Sequence, residues 1–285
     1  MQSVLITGSN GFIGQHIAAK LKLQNIRVIE FCRQNNQDLI NPQDFNNLPK
    51  VDTVFHLAAV SGYKNAKASL DTTYKVNVLG TINALEYCRR VKAKIILSST
   101  YVYNQPYEKI KHEADPLKPT THYSFSKFLG EECCRFYARA FKVNTLVIRT
   151  ANVYGPKQDG IYIVPVITSH LLARKQLTLT KRAVERCFIY IDDLVDGYIK
   201  LAQWPTLPGE VFNIGPDKPN KMAELVKQIE KISGQKAKIT YTGEDRPHEA
   251  DKNRVNTNKI KTTLNWKPQI SLETGLKRYL DSLNQ

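Results

Sequence analysis

The N-terminal stretch Thr7-Gly8-Ser9-Asn10-Gly11-Phe12-Ile13-Gly14 joins an apolar run, Val4 to Thr7, to a helical pattern with apolar residues three or four apart. Gly8 permits a sharp strand-to-helix turn, Gly11 lets the backbone approach a pyrophosphate, and Gly14 lets the helix pack close to the strand. The N-terminus of the helix offers oriented N–H groups and a partial positive charge to phosphates. The motif therefore predicts a dinucleotide-binding turn, with cofactor contacts at Gly8, Asn10, Gly11, Phe12, Ile13 and Gly14.

Short runs rich in valine, isoleucine and leucine alternate with helical patterns through the first half of the chain. This alternation is typical of βαβ units around a parallel sheet. The predicted fold class is α/β, a doubly wound (Rossmann) parallel sheet with a smaller C-terminal α/β substrate domain. The predicted strands are Val4 to Thr7, Ile26 to Phe31, Thr53 to Leu57, Ile95 to Ser98 and Thr145 to Arg149, and later helices are predicted at Val164 to Ala173 and Ala223 to Ile232.

The pattern changes after Pro156, where strands become shorter and proline, lysine and polar residues become more frequent. We predict that a dinucleotide-binding domain covers residues 1–155 and that the chain crosses back to it at about 186–215. Residues 156–285 are then mainly a substrate-binding domain.

The composition limits the class of protein. The 285 residues are 42% hydrophobic and 24% charged, which excludes a disordered tail or linker. The formal net charge of +15, taken alone, indicates an acidic partner such as nucleic acid, a membrane surface or a phosphorylated small molecule.

No apolar run approaches the roughly 20 residues that cross a bilayer, and no cleavable leader is visible, so we expect a cytoplasmic protein without a membrane partner. Five cysteines without a Cys-x-x-Cys pair predict neither a disulfide framework nor a metal site.

The end of the second predicted strand bears on which dinucleotide is bound. An acidic residue there would hold the adenosine ribose 2′-hydroxyl of NAD. Cys32 stands where we expect that acid, and Arg33 beside it suits the 2′-phosphate of NADP. If the register is shifted by two residues, Glu30 is the acid and Arg33 is a solvated loop charge. The residues favour NADP(H), with NAD(H) as the alternative.

A candidate catalytic group follows the fourth predicted strand. Ser99 ends that strand, and 24 residues later Tyr123 and Lys127 stand four apart in a helical pattern, which places them on one helix face. An ammonium beside a phenol stabilises the phenolate, so Tyr123 is a candidate general acid or base. The Ser99 hydroxyl, at the carboxyl end of a central strand, is placed to hold the substrate oxygen.

Further motifs accompany these residues. They are Phe55-His56-Leu57-Ala58-Ala59, Tyr74 to Thr81 around Asn77, Arg149 to Pro156, Arg186 with Phe188 to Asp193, Phe212 to Gly215, and Leu264 to Pro268. With the glycine motif and Ser99, Tyr123 and Lys127, they make the chain resemble, over nearly its whole length, the extended short-chain dehydrogenases/reductases of the NAD(P)-dependent nucleotide-sugar epimerase/dehydratase family.

The resemblance implies a nucleotide-diphosphate sugar as substrate and a homodimer formed through the helices that carry Tyr123 and follow Asn77. It implies an arginine on the substrate diphosphate at Arg246, for which a surface ion pair is the alternative. It implies further cofactor contacts at Arg33, Asp38, Leu39, Leu57, Ala58, Ala59, Asn77, Tyr123 and Lys127. Substrate contacts are implied at Ser61, Ser99, Thr100, Asn152, Arg186 and Arg246.

Departures from the family pattern narrow the predicted reaction. The 4,6-dehydratases resemble one another in a Thr-Asp-Glu run where this chain has Ser99-Thr100-Tyr101, so the acid and base that eliminate water are missing. The stretch between Arg33 and Thr53 is short, as in NADP-linked 4-ketosugar reductases. We predict NADP(H)-dependent reduction of a nucleotide-activated 4-keto-6-deoxy sugar at C4, with an NAD-dependent nucleotide-sugar 4-epimerase as the alternative.

A non-catalytic dinucleotide-binding or RNA-associated protein of the same fold is a remote alternative. The presence of Ser99, Tyr123 and Lys127 disfavours it. The basic residues form no stripe interleaved with aromatic residues, so nucleic acid is not a predicted partner. The predicted role of the charge is local, with Arg33, Lys127, Arg186 and Arg246 facing two ligands that each carry a pyrophosphate.

Overall fold

The computed structural model describes residues 1–103, 109–205, 208–244 and 252–284. The strands are β1 Ser3–Thr7, β2 Arg27–Phe31, β3 Thr53–His56, β4 Lys94–Ser99, β5 Thr145–Thr150, β6 Asn152–Tyr154, β7 Gln176–Leu179, β8 Glu185–Arg186, β9 Phe188–Tyr190, β10 Glu210–Ile214, β11 Asn220–Lys221, β12 Lys238–Tyr241 and β13 Lys252–Asn253. The helices are α1 Phe12–Leu23, α2 Tyr63–Ala68, α3 Leu70–Tyr74, α4 Gly80–Val91, α5 His122–Phe141, α6 Ile163–Leu172, α7 Ile191–Gln203, α8 Met222–Ser233, α9 Asn258–Leu264 and α10 Leu272–Ser282.

Six parallel strands form the main sheet in the order β10-β5-β4-β3-β1-β2. The predicted Rossmann-type sheet is confirmed, and the five predicted strands begin and end within a residue of the observed ones. From β1 the chain proceeds outward to β2 on one side and through β3 to β4 and β5 on the other. The carboxyl ends beside β1 and β3 are therefore a topological switch point, the place where such sheets bind ligands.

Helices cover both faces of this sheet because its strands alternate side chains between two apolar cores. In β1, Val4 and Ile6 are buried in the core that contains Tyr198 of α7. Leu5, between them, is buried in the other core with Leu85 of α4 and Cys134 of α5. Helix α5 therefore lies on the face opposite α7, with its first residues near the carboxyl ends of the strands.

Helices α3 and α4 are joined through one wider helical turn over Lys75–Leu79. Such π turns inside α-helices occur frequently at functional sites, because the extra residue redirects a side chain. Here the turn contains Asn77, which is 1% exposed. The local geometry thus turns a polar side chain from a surface helix into the protein interior.

The residues after Pro156 form two small sheets, β11-β8-β13 and β12-β7, and the helices around them, and β9 pairs with β6 in a third. The chain returns to the main sheet through α7, which packs on α1, and through β10, which pairs with β5. The C-terminal segment is held by the Asp193 carboxylate, which accepts backbone N–H bonds from Gln269 and Ile270 at 3.0 and 2.8 Å. The domain boundary at residue 155 stays a prediction.

Two features are absent from the described ranges. Among those residues, none of the helices combines the length and apolar character that a bilayer crossing requires. The same residues contain no group of three histidine, cysteine or acidic side chains arranged to hold a metal ion.

Candidate active site

The glycine-rich turn leaves no room for side chains where the cofactor phosphates are predicted. Gly8 has a φ of +71°, and a Cβ there would lie 2.8 Å from the backbone of Ala58. A Cβ on Gly14 would lie 2.3 Å from the carbonyl oxygen of Gly8. Gly11 is the residue before the first turn of α1 and donates its N–H to the Gly8 oxygen at 2.9 Å. Phe12 and Ile13 open α1, and Asn10 is exposed in the turn. This backbone cradle at a helix N-terminus fits a dinucleotide pyrophosphate.

A buried histidine connects this turn to the helix that carries Asn77. His56 Nδ1 lies 2.8 Å from Thr7 Oγ1, and His56 Nε2 lies 3.0 Å from Thr81 Oγ1. Thr81 donates its own proton to the Asn77 carbonyl at 2.7 Å, so Nε2 must be the protonated nitrogen of His56. Burial, with a smaller contribution from Lys127, lowers the pKa of His56 to about 3 and keeps the ring neutral. Because Ala58 donates its N–H to Thr7 Oγ1 at 3.3 Å, the predicted cofactor segment Leu57 to Ala59 belongs to the same network.

The Asn77 side chain holds both the loop after β3 and the start of α5. Its Oδ1 accepts the Val60 N–H at 2.7 Å, and its Nδ2 donates to the Val60 carbonyl at 3.1 Å. Nδ2 also donates to Ser126 Oγ at 2.8 Å, and that hydroxyl donates to the Tyr123 carbonyl at 2.8 Å. Asn77 thereby fixes the first turn of the helix on which Tyr123 and Lys127 stand.

On that helix Lys127 is buried and Tyr123 is partly buried. Burial raises the pKa of the Tyr123 phenol well above its usual value; the nearby Tyr162 phenol adds to the rise and a hydrogen bond with the Thr100 side chain opposes it. Burial lowers the pKa of Lys127 to about 8, while Cys134 and Glu131 act in the opposite direction. In the protein alone, Tyr123 is a proton donor at neutral pH, because burial outweighs the effect that we expected from Lys127.

The Ser99 hydroxyl has a buried protein partner. It donates to Glu131 Oε1 at 2.5 Å, and both residues are at most 3% exposed. Glu131 is also paired with Arg149, whose Nη2 donates to Oε2 at 2.6 Å. Although burial disfavours the charge on Arg149, the hydrogen bonds and charge of Glu131 raise the pKa of its guanidinium above the usual value. The sequence predicted Ser99 as a contact of the substrate oxygen, and the structure shows that its proton is shared with a carboxylate.

The predicted substrate residues lie in three places. Ser61 Oγ lies 2.9 Å from Tyr162 Oη, so the loop after β3 reaches the residue before α6. Asn152 begins β6 and lines a narrow crevice with Tyr101 and Asn253. Arg186 is buried in β8, which lies between β11 and β13. Arg246 lies outside the described residues.

The end of β2 carries the residues that were expected to distinguish NAD from NADP. Arg33 is exposed and opens a short 3-10 helix, Arg33–Asn35, directly after Cys32. The Glu30 carboxylate accepts a 2.6 Å bond from Lys22 Nζ. Leu39 is buried and would collide with a Cβ on Gly80, and the Asp38 carboxylate accepts the Ile40 N–H at 3.2 Å.

Three residues with contacts in the site were not predicted from the sequence. Glu131 follows Lys127 by four residues, so helical spacing alone places it on the same face, and an acid on a buried face was a usable signal. Thr81 follows Asn77 at the same spacing. No pattern in the neighbouring residues indicates a role for Tyr162, because its contact is with Ser61, 101 positions away in the chain.

Comparisons with known proteins agree with this arrangement. A model of the NAD dependent epimerase/dehydratase family matches residues 4–215. The chain is 30% identical to a putative UDP-glucose 4-epimerase of Methanocaldococcus jannaschii, over 98% of this chain and 97% of that protein. It superposes with a TM-score of 0.92 on the UDP-glucuronic acid 4-epimerase of Bacillus cereus, solved with UDP-glucuronic acid and NAD, at 26% identity and 99% coverage of each chain. The chain also superposes with a TM-score of 0.92 on the UDP-glucose 4-epimerase of Thermotoga maritima, solved with UDP-glucose. The two are 26% identical, and 99% of this chain and 98% of that one are covered.

The buried ammonium of Lys127 makes a prediction about stability and pH. Between about pH 8 and its usual pKa of 10.5, Lys127 is protonated in the unfolded chain and neutral in the folded one. The contribution of Lys127 to the free energy of unfolding therefore rises with pH in that window. We expect Lys127→Met to be more stable than the wild type at neutral pH by on the order of 3 kcal/mol, and the difference to shrink toward pH 10.

Denaturant unfolding at a series of pH values measures this difference. The control is Lys20→Met, which replaces an exposed lysine of α1 and should leave the pH dependence unchanged. A difference between Lys127→Met and wild type that stays constant over the window would contradict the assigned pKa shift.

Proposed function

Because the chain belongs to the NAD dependent epimerase/dehydratase family, we propose that it inverts the configuration at C4 of a UDP-sugar with bound NAD. The observation that carries the proposal is the catalytic pair Tyr123 and Lys127 beside the hydroxyls of Ser99 and Thr100, with no carboxylate at 100 or 101. Such a set moves a proton at an alcohol or ketone oxygen but has no acid and base there to eliminate water. The epimerases described above support the choice of net reaction.

Each step at C4 assigns a task to a residue of this chain. NAD, when bound, would supply the hydride acceptor and donor that the reaction needs. Tyr123 takes the proton from the C4 oxygen during oxidation and returns it after the sugar has presented its other face. Lys127, four residues along the same helix, favours the phenolate whenever it is charged. Asn77 keeps that helix in register with the loop after β3.

The direct test is turnover of a panel of UDP-sugars by the purified protein with NAD, followed by NMR of the C4 proton. We expect the 4-epimer of one sugar to form without net change in the absorbance of reduced nicotinamide. Tyr123→Phe should lower kcat by about 10²- to 10⁴-fold, the usual contribution of a positioned acid or base.

Tyr74→Phe is the matched control, because the Tyr74 hydroxyl lies 3.1 Å from Nδ1 of His122, an exposed ring next to Tyr123. Its turnover should equal that of the wild type. Consumption of NADPH with a 4-ketosugar nucleotide, and no epimer from any UDP-sugar, would replace the proposal with the second candidate.

That second candidate is NADPH-dependent reduction of a nucleotide-activated 4-keto-6-deoxy sugar at C4. Two observations favour it. The phenol of Tyr123 is held protonated by burial, as a proton donor to a ketone must be. At the end of β2, Cys32 and the exposed Arg33 stand where NAD-binding proteins have an acid, and the nearby Glu30 is paired with Lys22. A guanidinium at this position suits a 2′-phosphate.

Substitution of Arg33 tests the cofactor preference. If Arg33 binds the 2′-phosphate, Arg33→Ala should weaken the affinity for NADPH by about tenfold, the value of a charge-assisted hydrogen bond, and leave that for NADH unchanged. Titration of intrinsic or cofactor fluorescence measures both constants. Arg27→Ala, at the opposite end of the same strand, is the control. Equal affinities for the two cofactors in the wild type would count against NADP.

The oligomeric state proposed here is a homodimer through α4 and α5. One face of α5 carries Phe125, Leu129 and Phe136 at helical spacing, and Phe125 and Phe136 are 42% and 49% exposed. Next to it, Leu79 before α4 is 42% exposed, and α4 packs on α5. Two copies of such a face bury each other in a two-fold interface.

Sedimentation equilibrium tests this interface. Phe136→Lys should convert a dimer to a monomer, because a charge at the centre of an apolar interface is costly to bury. Leu23→Lys is the control, since Leu23 is 83% exposed at the end of α1 and lies outside this face. A wild-type protein that stays monomeric at all concentrations would exclude the proposed dimer.

A further inference from the structure

The carboxylate of Glu131 is buried behind the candidate catalytic hydroxyls, and the proposed reaction does not use it. Glu131 is 1% exposed, lies on α5 one turn after Lys127, and receives donors from two directions. Arg149 Nε lies 3.1 and 3.2 Å from its two oxygens, and Arg149 Nη2 lies 2.6 Å from Oε2. Ser99 Oγ lies 2.5 Å from Oε1. The guanidinium of Arg149 thus donates to both oxygens of Glu131, so both oxygens act as hydrogen-bond acceptors.

This arrangement fixes the direction of the Ser99 hydrogen bond. A carboxylate only accepts, so the single proton of the Ser99 hydroxyl points toward Glu131. What the Ser99 oxygen can offer a ligand is a lone pair. It can accept a hydrogen bond from an alcohol, but it has no proton left for a ketone or an alkoxide.

The neighbouring hydroxyl has a different partner. Thr100 follows β4, is partly exposed, and its side chain hydrogen-bonds to the phenol of Tyr123. Thr100 therefore lies beside the phenol, whereas Ser99 faces Glu131 and keeps a lone pair for a ligand.

We propose that Glu131 is a positioning residue that holds the Ser99 hydroxyl as a hydrogen-bond acceptor for the C4–OH of the sugar. This inference rests on the proposed function for the identity of the ligand. It assigns a task in substrate recognition to a residue that contacts no ligand itself. The site then recognises the alcohol form of C4 through Ser99.

The other hydrogen bonds of Arg149 show how the proposed role of Glu131 can be distinguished from a purely structural one. Its Nη1 donates to Tyr103 Oη at 2.9 Å and to the Glu113 carbonyl at 3.1 Å, and Tyr103 donates to Asn213 Oδ1 at 2.5 Å. These bonds join β5 and β10 to the loop before α5 and do not involve Ser99. Among the described residues, Ser99 is the partner of Glu131 that lies at the carboxyl end of β4, so a change in ligand preference reports on the bond between them.

The test measures binding of two ligands to the protein loaded with NAD by calorimetry. The ligands, UDP-glucose and UDP-4-deoxy-4-fluoroglucose, differ only in the substituent at C4, which is a hydroxyl in the first and fluorine in the second. Fluorine cannot donate a hydrogen bond, so the wild type should bind UDP-glucose about tenfold more tightly, the value of one buried hydrogen bond. Ser99→Ala should remove that preference. In Glu131→Gln the amide NH₂ donates to Ser99, whose own proton then points to the ligand, so the preference should fall to unity or reverse.

Ser98→Ala is the matched control, because Ser98 is the preceding residue of β4 and accepts a 2.8 Å bond from Tyr198 on the opposite face of the sheet. It should keep the tenfold preference. Glu131→Gln leaves Arg149 without its anionic partner and could fail to fold. In that case the test is whether Ser99→Ala loses the ligand preference while Ser98→Ala keeps it.

The outcomes separate the two proposals. Equal binding of both ligands by the wild type, or an unchanged preference in Ser99→Ala, would overturn the role of Glu131 and leave the UDP-sugar assignment standing. Failure of the wild type to bind these two ligands or any other UDP-sugar of the panel would overturn the proposed function, and this inference with it.

Discussion

The ion pair between Glu131 and Arg149 is the constraint on which the geometry of the site depends. It joins the helix of Tyr123 and Lys127 to the centre of the parallel sheet, with both charges almost fully buried. Burying two charges is costly, and the cost is offset only when every donor and acceptor has a partner. Ser99 and Tyr103 supply those partners here. Satisfying the ion pair therefore determines where the Ser99 proton points.

A second network, made of neutral groups, connects the cofactor turn to the same helix. It runs from the Ala58 N–H through Thr7, His56 and Thr81 to Asn77, and from Asn77 through Ser126 to the Tyr123 carbonyl. Once the His56 ring is neutral, each hydrogen bond of this network can run in only one direction, from a fixed donor to a fixed acceptor. The glycine turn and the helix of Tyr123 and Lys127 are thus held in one register before any ligand binds, which is the preorganisation that the proposed reaction needs.

Much of the fold was predictable because it follows from local patterns. The glycine spacing at the N-terminus and the alternation of apolar runs with helical periods gave the sheet and its strands to within a residue. Tyr123 and Lys127 were predictable because a spacing of four residues places two side chains on one helix face whatever the rest of the chain does. The direction of the Tyr123 pKa shift was not predictable, because it depends on how deeply the phenol is buried.

By itself, the sequence determined the residue types available to the site: closely spaced glycines between the first strand and helix, a phenol and an ammonium one helical turn apart, and hydroxyls at positions 99 and 100. Tertiary structure alone decided how those groups are oriented and protonated. Whether Ser99 donates or accepts depends on Glu131, 32 residues away, and whether Ser61 meets Tyr162 depends on a separation of 101. The physical reason is that hydrogen-bond direction and pKa are set by neighbours and by exclusion of water, and both exist only once distant segments have packed together.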